Sequence, residues 1–129
     1  MRSVHPEGEI QKTIFQYLVS QNFLVIRVNS GGMTQEYKGD ERFVAFVRWQ
    51  VRGKRLSSRG VADLVALAPW GQFFVIECKA GGKIAQTSES QIEFLEAAEI
   101  RGAIALIADT LQDVIAAVED HRPPDWPLF

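Results

Sequence analysis

The amino-acid sequence predicts an α/β fold, a mixed β-sheet sandwiched by helices, and three observations predict it. Apolar residues recur at helical spacing near the start, in the last third and at the end of the chain. Between them run short segments rich in β-branched and aromatic residues, separated by glycine, proline and asparagine turns. One of these segments, Ala103-Ile-Ala-Leu-Ile-Ala108, is almost wholly apolar, as in a strand covered on both faces.

In chain order, Glu7–Gln21 reads as a helix with Ile10, Ile14, Tyr17 and Leu18 on one stripe, stopped at Asn22. Phe23–Val28 follows as a strand, and Asn29-Ser-Gly-Gly32 as a loop. A second strand is expected over Arg42–Val51, closed by Arg52-Gly-Lys54. Ala62–Ala68 and Gln72–Lys79 flank Pro69-Trp-Gly71, which predicts a hairpin. Ser88 is placed as an N-cap with Gln91 three positions on, the capping-box spacing, for a helix running to Arg101 and ended by Gly102. The apolar strand and a helix over Thr110–Asp120 complete the order α-β-β-β-β-α-β-α.

At 129 residues the chain is expected to form one domain, residues 1–129, too small for a barrel enzyme or a two-domain cofactor enzyme. No apolar run approaches the ~20 residues of a bilayer helix, and the N-terminus has no apolar core of a secretory signal. A single cysteine, Cys78, excludes an internal disulfide framework and a cysteine-rich zinc site, so a reducing cytoplasm is expected. The net charge of −2 hides an asymmetry: residues 36–59 carry seven basic against three acidic groups, and residues 60–129 four against eleven. Within it, Arg48, Arg52, Lys54, Arg55 and Arg59 form an acid-free run able to contact phosphate or simply to face water.

The chemistry-bearing pattern is Gly60-Val-Ala-Asp63, thirteen residues, then Glu77-Cys-Lys79. Residues i and i+2 of a strand share a face, so Glu77 and Lys79 project together from an otherwise apolar strand, and the hairpin brings Asp63 beside them. Such charges are costly unless they pair or bind something. Two carboxylates suit Mg²⁺, or Mn²⁺ in its place, with the Cys78 carbonyl as a further oxygen donor. A plain salt bridge of Lys79 with Glu77 or Asp63 is the competing reading.

These residues resemble the PD-(D/E)xK nuclease superfamily, and the chain as a whole resembles its VRR-NUC branch, in particular the short standalone proteins of phages and bacteria. Glu7-Gly-Glu-Ile-Gln11 is similar to the opening E-x-E-I-Q, and Arg27-Val-Asn-Ser-Gly31 to R-x-N-S-G. Gly60-Val-Ala-Asp63, Ile76-Glu-Cys-Lys79 and Ser88-Glu-Ser-Gln91 match the G-x-P-D, I-E-x-K and S-x-x-Q blocks, with Ala62 in place of the usual proline. The resemblance implies a restriction-endonuclease-like α/β/α sandwich with a central mixed sheet flanked by helices. It implies Asp63 and Glu77 as metal ligands and Lys79 as the catalytic lysine. Glu9 would be the acid of the first helix, acting on the metal directly or through water, with Glu7 as its competitor. Gln91 would face the site from its helix.

The implied activity is Mg²⁺-dependent hydrolysis of DNA phosphodiesters, selective for Holliday junctions or flaps, by a homodimer in a bacterial or phage-infected cytoplasm. DNA contacts are expected from Asn29, Ser30, Arg48, Arg52, Lys54, Arg55, Arg59 and Lys83. Two alternatives stay open, a DNA-binding module of the same fold that does not cut and a structural interaction domain. His5 and His121 lack metal-ligand spacing and are expected to be exposed. Trp49, in register with Phe43, Val47 and Val51, is expected in the core, and Cys78 as a packed thiol.

Overall fold

The computed structural model describes residues 6–28, 32–45 and 47–127. Nine principal elements follow one another: α1 (Pro6–Ser20), β1 (Leu24–Arg27), β2 (Gly32–Tyr37), β3 (Asp40–Ala45), β4 (Leu64–Leu67), β5 (Phe73–Cys78), α2 (Glu89–Ile100), β6 (Ile104–Ala108) and α3 (Leu111–His121). A short 3₁₀ turn, Ile84–Gln86, precedes α2.

The main sheet has the order β1-β4-β5-β6 and is mixed. Strands β1 and β5 pair antiparallel with β4, and β6 runs parallel to β5. The parallel pair needs a crossover, and α2 supplies it. Helices α1 and α3 cover one face of the sheet and α2 the other, which is the expected sandwich. Alternation along the strands sorts the side chains between the layers. Leu64, Ala66, Phe74, Ile76 and Cys78 turn toward α1 and α3, where they meet Ile14, Leu18, Val114 and Val118. Val65, Val75, Ala105 and Ile107 turn toward α2, where they meet Leu95 and Ala98.

The hairpin β4–β5 forms where Pro69-Trp-Gly71 predicts it. Gly71 takes φ +93° and the Ala68 and Gln72 backbones close the turn. The capping box forms at the expected residues: Ser88 Oγ accepts from Gln91 N–H while the Gln91 side chain accepts from Ser88 N–H. Strand β6 has helices on both faces, yet it borders the sheet and is mostly half-buried.

Two expectations are corrected. The strand predicted over Arg42–Val51 is instead β3, ending at Ala45 and paired antiparallel with β2 in a separate two-stranded ribbon. Its turn is the pair Lys38-Gly39, both at positive φ as the right-handed twist of a two-residue hairpin requires. Trp49 lies beyond this ribbon, in an isolated bridge with Ser57. Its indole is half-buried edge-to-face on Phe94 of α2, 5.3 Å between centroids, and donates to the Arg59 carbonyl. His121 is not fully exposed either: its ring stands edge-on to Phe74 and bonds the Ala117 carbonyl, as expected for a residue in the last turn of a core-facing helix. His5 lies outside the described residues.

Candidate metal centre

Asp63 sits one residue before β4, and the register Leu64↔Ile76 sets it opposite Glu77 near the end of β5. Its Oδ2 accepts the Cys78 backbone N–H at 2.8 Å, which ties the carboxylate to the neighbouring strand. The Val28 N–H donates to the Asp63 carbonyl, extending the β1–β4 ladder by one bond up to the site.

Glu77 is the buried charged residue of the described chain, with 2% of its surface exposed. Its Oε1 accepts from Gln91 Nε2 at 2.8 Å, while its Oε2 is buried with no hydrogen-bond partner. Burial, then the charge of the nearby Asp63 carboxylate, then a hydrogen bond that only protonated Glu77 can donate to Asp63, raise its pKa from 4.5 to about 8, against the weaker opposing pull of Lys79. An ionised carboxylate held this way is costly to a fold unless something else neutralises it.

Lys79 Nζ lies 3.0 Å from Gln91 Oε1 and 3.9 Å from Glu77 Oε1. Gln91 therefore joins three partners at once, since the same Oε1 also accepts from Ser88 N–H. The cap that starts α2 thus fixes the amide orientation that holds Lys79 and Glu77. Gly60 lets α2 approach: at φ +90°, a Cβ there would fall 2.2 Å from the Ser90 carbonyl oxygen. The proline absent at position 62 leaves a fully buried Ala62 packed toward α2.

Helix α1 completes the group with Glu7. One carboxylate oxygen each from Glu7, Asp63 and Glu77 lies within 4.8 Å of the others. Glu9, expected as the helix acid, is exposed, as Glu7 is, but is not one of these three acids. Residues two apart on an α-helix diverge by about 200°, so only one of the two acids can face the sheet. Gln11, one turn from Glu7, shares its side and lines the same open cleft of about 650 Å³ with Asp63, Glu77, Lys79 and Gln91. Periodicity alone could have chosen Glu7: Ile14 and Leu18 are one and two turns beyond Ile10, and Glu7 precedes Ile10 by three.

The donor set fits a hard divalent cation. It is all oxygen, it includes a buried oxygen left unpartnered, and the Cys78 thiol is on the opposite face, in the apolar core. Burial, ahead of the nearby carboxylates, raises the Cys78 pKa, which makes it an inert thiol.

The expected DNA-contact residues stand elsewhere. Arg48, Arg52, Arg55 and Arg59 are exposed in the segment leading into Gly60, and Lys83 is exposed beyond β5. Lys54 is engaged: it pairs with Glu93 of α2 and lies 5.4 Å from the centroid of Trp49. Asn29 and Ser30 lie outside the described residues.

A mixed sheet between helices, with carboxylates and a lysine gathered at one end of β4 and β5, defines the class by its fold. The chain is similar to a solved VRR_NUC domain, with a TM-score of 0.60 and 18% identity over 92% of this chain and 100% of that one. The fold is that of a VRR_NUC domain. No family model and no curated protein matches the sequence.

Proposed function

We propose that the protein is a divalent-metal-dependent nuclease that hydrolyses DNA phosphodiesters. The observation that carries this reading is the buried, unpartnered Glu77 Oε2 beside Asp63 and Glu7. The VRR_NUC fold supports it.

In this reading Asp63 and Glu77 hold Mg²⁺ or Mn²⁺, with Glu7 as third acid and the Cys78 carbonyl as a further donor. Such an ion, when bound, offsets charge developing on the phosphodiester and acidifies water at the scissile phosphorus. Lys79, held by Gln91 Oε1, presents its ammonium to a non-bridging phosphate oxygen. Gln91 keeps Lys79 and Glu77 in register through the Ser88 cap. Water adds to phosphorus, the opposite P–O ester bond breaks, and the products are a phosphate monoester and an alcohol. Arg48, Arg52, Arg55, Arg59 and Lys83 attract the DNA backbone, and Lys54 must leave Glu93 to join them.

The finer reading is a single-domain, cytoplasmic enzyme that cuts Holliday junctions or flaps as a homodimer. One such centre among the described residues supports the dimer, because paired cuts need two copies. The described residues contain no helix long and apolar enough to cross a membrane.

The test is cleavage of labelled four-way junction, 5′ and 3′ flap, duplex and single-stranded DNA with Mg²⁺, Mn²⁺ or EDTA, beside Lys79→Ala. Metal-dependent cutting that Lys79→Ala abolishes is expected. Binding without cutting in every metal would favour the non-cutting DNA-binding module instead.

A further inference from the structure

A second cavity of about 400 Å³ adjoins the carboxylate cleft along α1. It is lined by Gly8, Gln11, Lys12, Phe15 and Gln16 and by Arg27 at the end of β1. The helical members stand at i, i+3, i+4, i+7 and i+8, so they form one continuous stripe. Gly8 and Gln11 also line the carboxylate cleft, which makes the two cavities neighbours. The volume falls in the range of small-ligand sites, about 300–1,000 Å³.

The wall chemistry of this second cavity differs from that of the cleft. Phe15 is packed against the core on one side and offers its remaining surface to the cavity. Gln11 and Gln16 bring amides that both donate and accept. Lys12 and Arg27 are exposed, and neither has an ion-pair partner among the described residues. Among the described residues no carboxylate lines this cavity, whereas the cleft beside it has three. An aromatic wall takes a base face, amides take base edges, and two cations take phosphate. A nucleic-acid strand brought against three carboxylates also needs positive charge close by.

We propose that this cavity is a nucleotide subsite, holding the base against Phe15 and the phosphate at Lys12 and Arg27 for one nucleotide near the scissile bond. The proposal rests on the nuclease reading of the adjoining cleft. Eight residues separate Glu7 from Phe15, about 12 Å along the helix. With about 3.4 Å per stacked nucleotide, the bound nucleotide lies within about four of the cut.

The experiment is single-turnover cleavage of whichever labelled DNA the protein cuts, at varied protein concentration. Abasic residues are placed in turn at each of the four positions on either side of the cut, and Lys12→Gln/Arg27→Gln is run in parallel. One abasic position is expected to raise the half-saturating protein concentration about tenfold, the usual weight of a base on an aromatic ring. The penalty should shrink in Phe15→Leu, which keeps the apolar packing. The double variant should act mainly on half-saturation, not on the saturated rate. If the protein cuts but no abasic position matters, or the double variant matches the parent, the subsite is overturned and the nuclease reading stands. If the parent cuts nothing with Mg²⁺ or Mn²⁺, both fall together.

Discussion

Two regions of this molecule place charge in opposite settings. Where β4, β5 and α2 meet, Asp63, Glu77, Lys79 and Gln91 bind one another or the backbone, and Glu77 is almost wholly out of water. In the segment from Trp49 to Arg59, Arg52 and Arg55 face solvent, and the ion pair is the exposed Lys54–Glu93. The difference teaches how to weigh a charge. Exposed charges cost a fold little and are compatible with many roles. An ionised buried carboxylate with an unpartnered oxygen destabilises the fold, a cost that a bound cation would offset. The comparison predicts that changes at the buried cluster alter reaction and pH response, and that changes in the basic segment alter only attraction for polyanions.

The largest effect is expected from Asp63→Asn, which removes a charge from the proposed cation site and keeps the shape. Single-turnover cleavage should fall by roughly 10²–10³-fold or more, as when a preorganised electrostatic group is lost, while DNA binding persists. Gly60→Ala should come next. Its Cβ meets the Ser90 carbonyl and its φ of +90° is strained for alanine, so thermal unfolding should shift down by at least the roughly 1–3 kcal/mol of such strain. Cleavage should fall with it, because α2 carries Gln91.

The pH dependence has a definite sign. Glu77 holds its proton in the fold up to about pH 8, against 4.5 when unperturbed. The stability it contributes is therefore fully present below about pH 4.5 and lost as pH rises through about 8. In EDTA the midpoint of unfolding should drop across this window, and Glu77→Gln should flatten the drop. The smallest effect belongs to the basic segment. Arg52→Gln or Arg55→Gln should leave unfolding unchanged and lower the slope of log affinity against log salt by about one for each phosphate no longer neutralised.

The parts legible in the sequence are those where burial dictates the pattern. The apolar run of Phe73–Cys78, the Pro69-Trp-Gly71 turn and the Ser88–Gln91 cap each have a local physical cause, and each formed where expected. The hairpin β2–β3 was harder to read. Its strands meet at the Lys38-Gly39 turn, and Lys-Gly is a weaker hairpin signal than Asn-Gly. Glu7 and Glu9 stand two residues apart, both polar and both in a first helical turn where acids are favoured for the dipole alone. Only the phase of α1 separates them, and the Ile10–Ile14–Leu18 stripe, on the side of Glu7, carries that phase. The cavity at Lys12, Phe15 and Arg27 could not be read from spacing, because Arg27 reaches it from another element.

The central claim is that the Glu7–Asp63–Glu77 group holds a divalent cation. The most direct measurement is thermal unfolding of the parent and of Glu77→Gln at pH 8, in EDTA and in Mn²⁺ at millimolar concentration. A ligand at ten times its dissociation constant stabilises a fold by about 1.4 kcal/mol, a shift of several degrees for a chain of this size. The parent should gain that shift and Glu77→Gln should lose most of it. Equal shifts in both proteins, or none in the parent, would contradict the assignment.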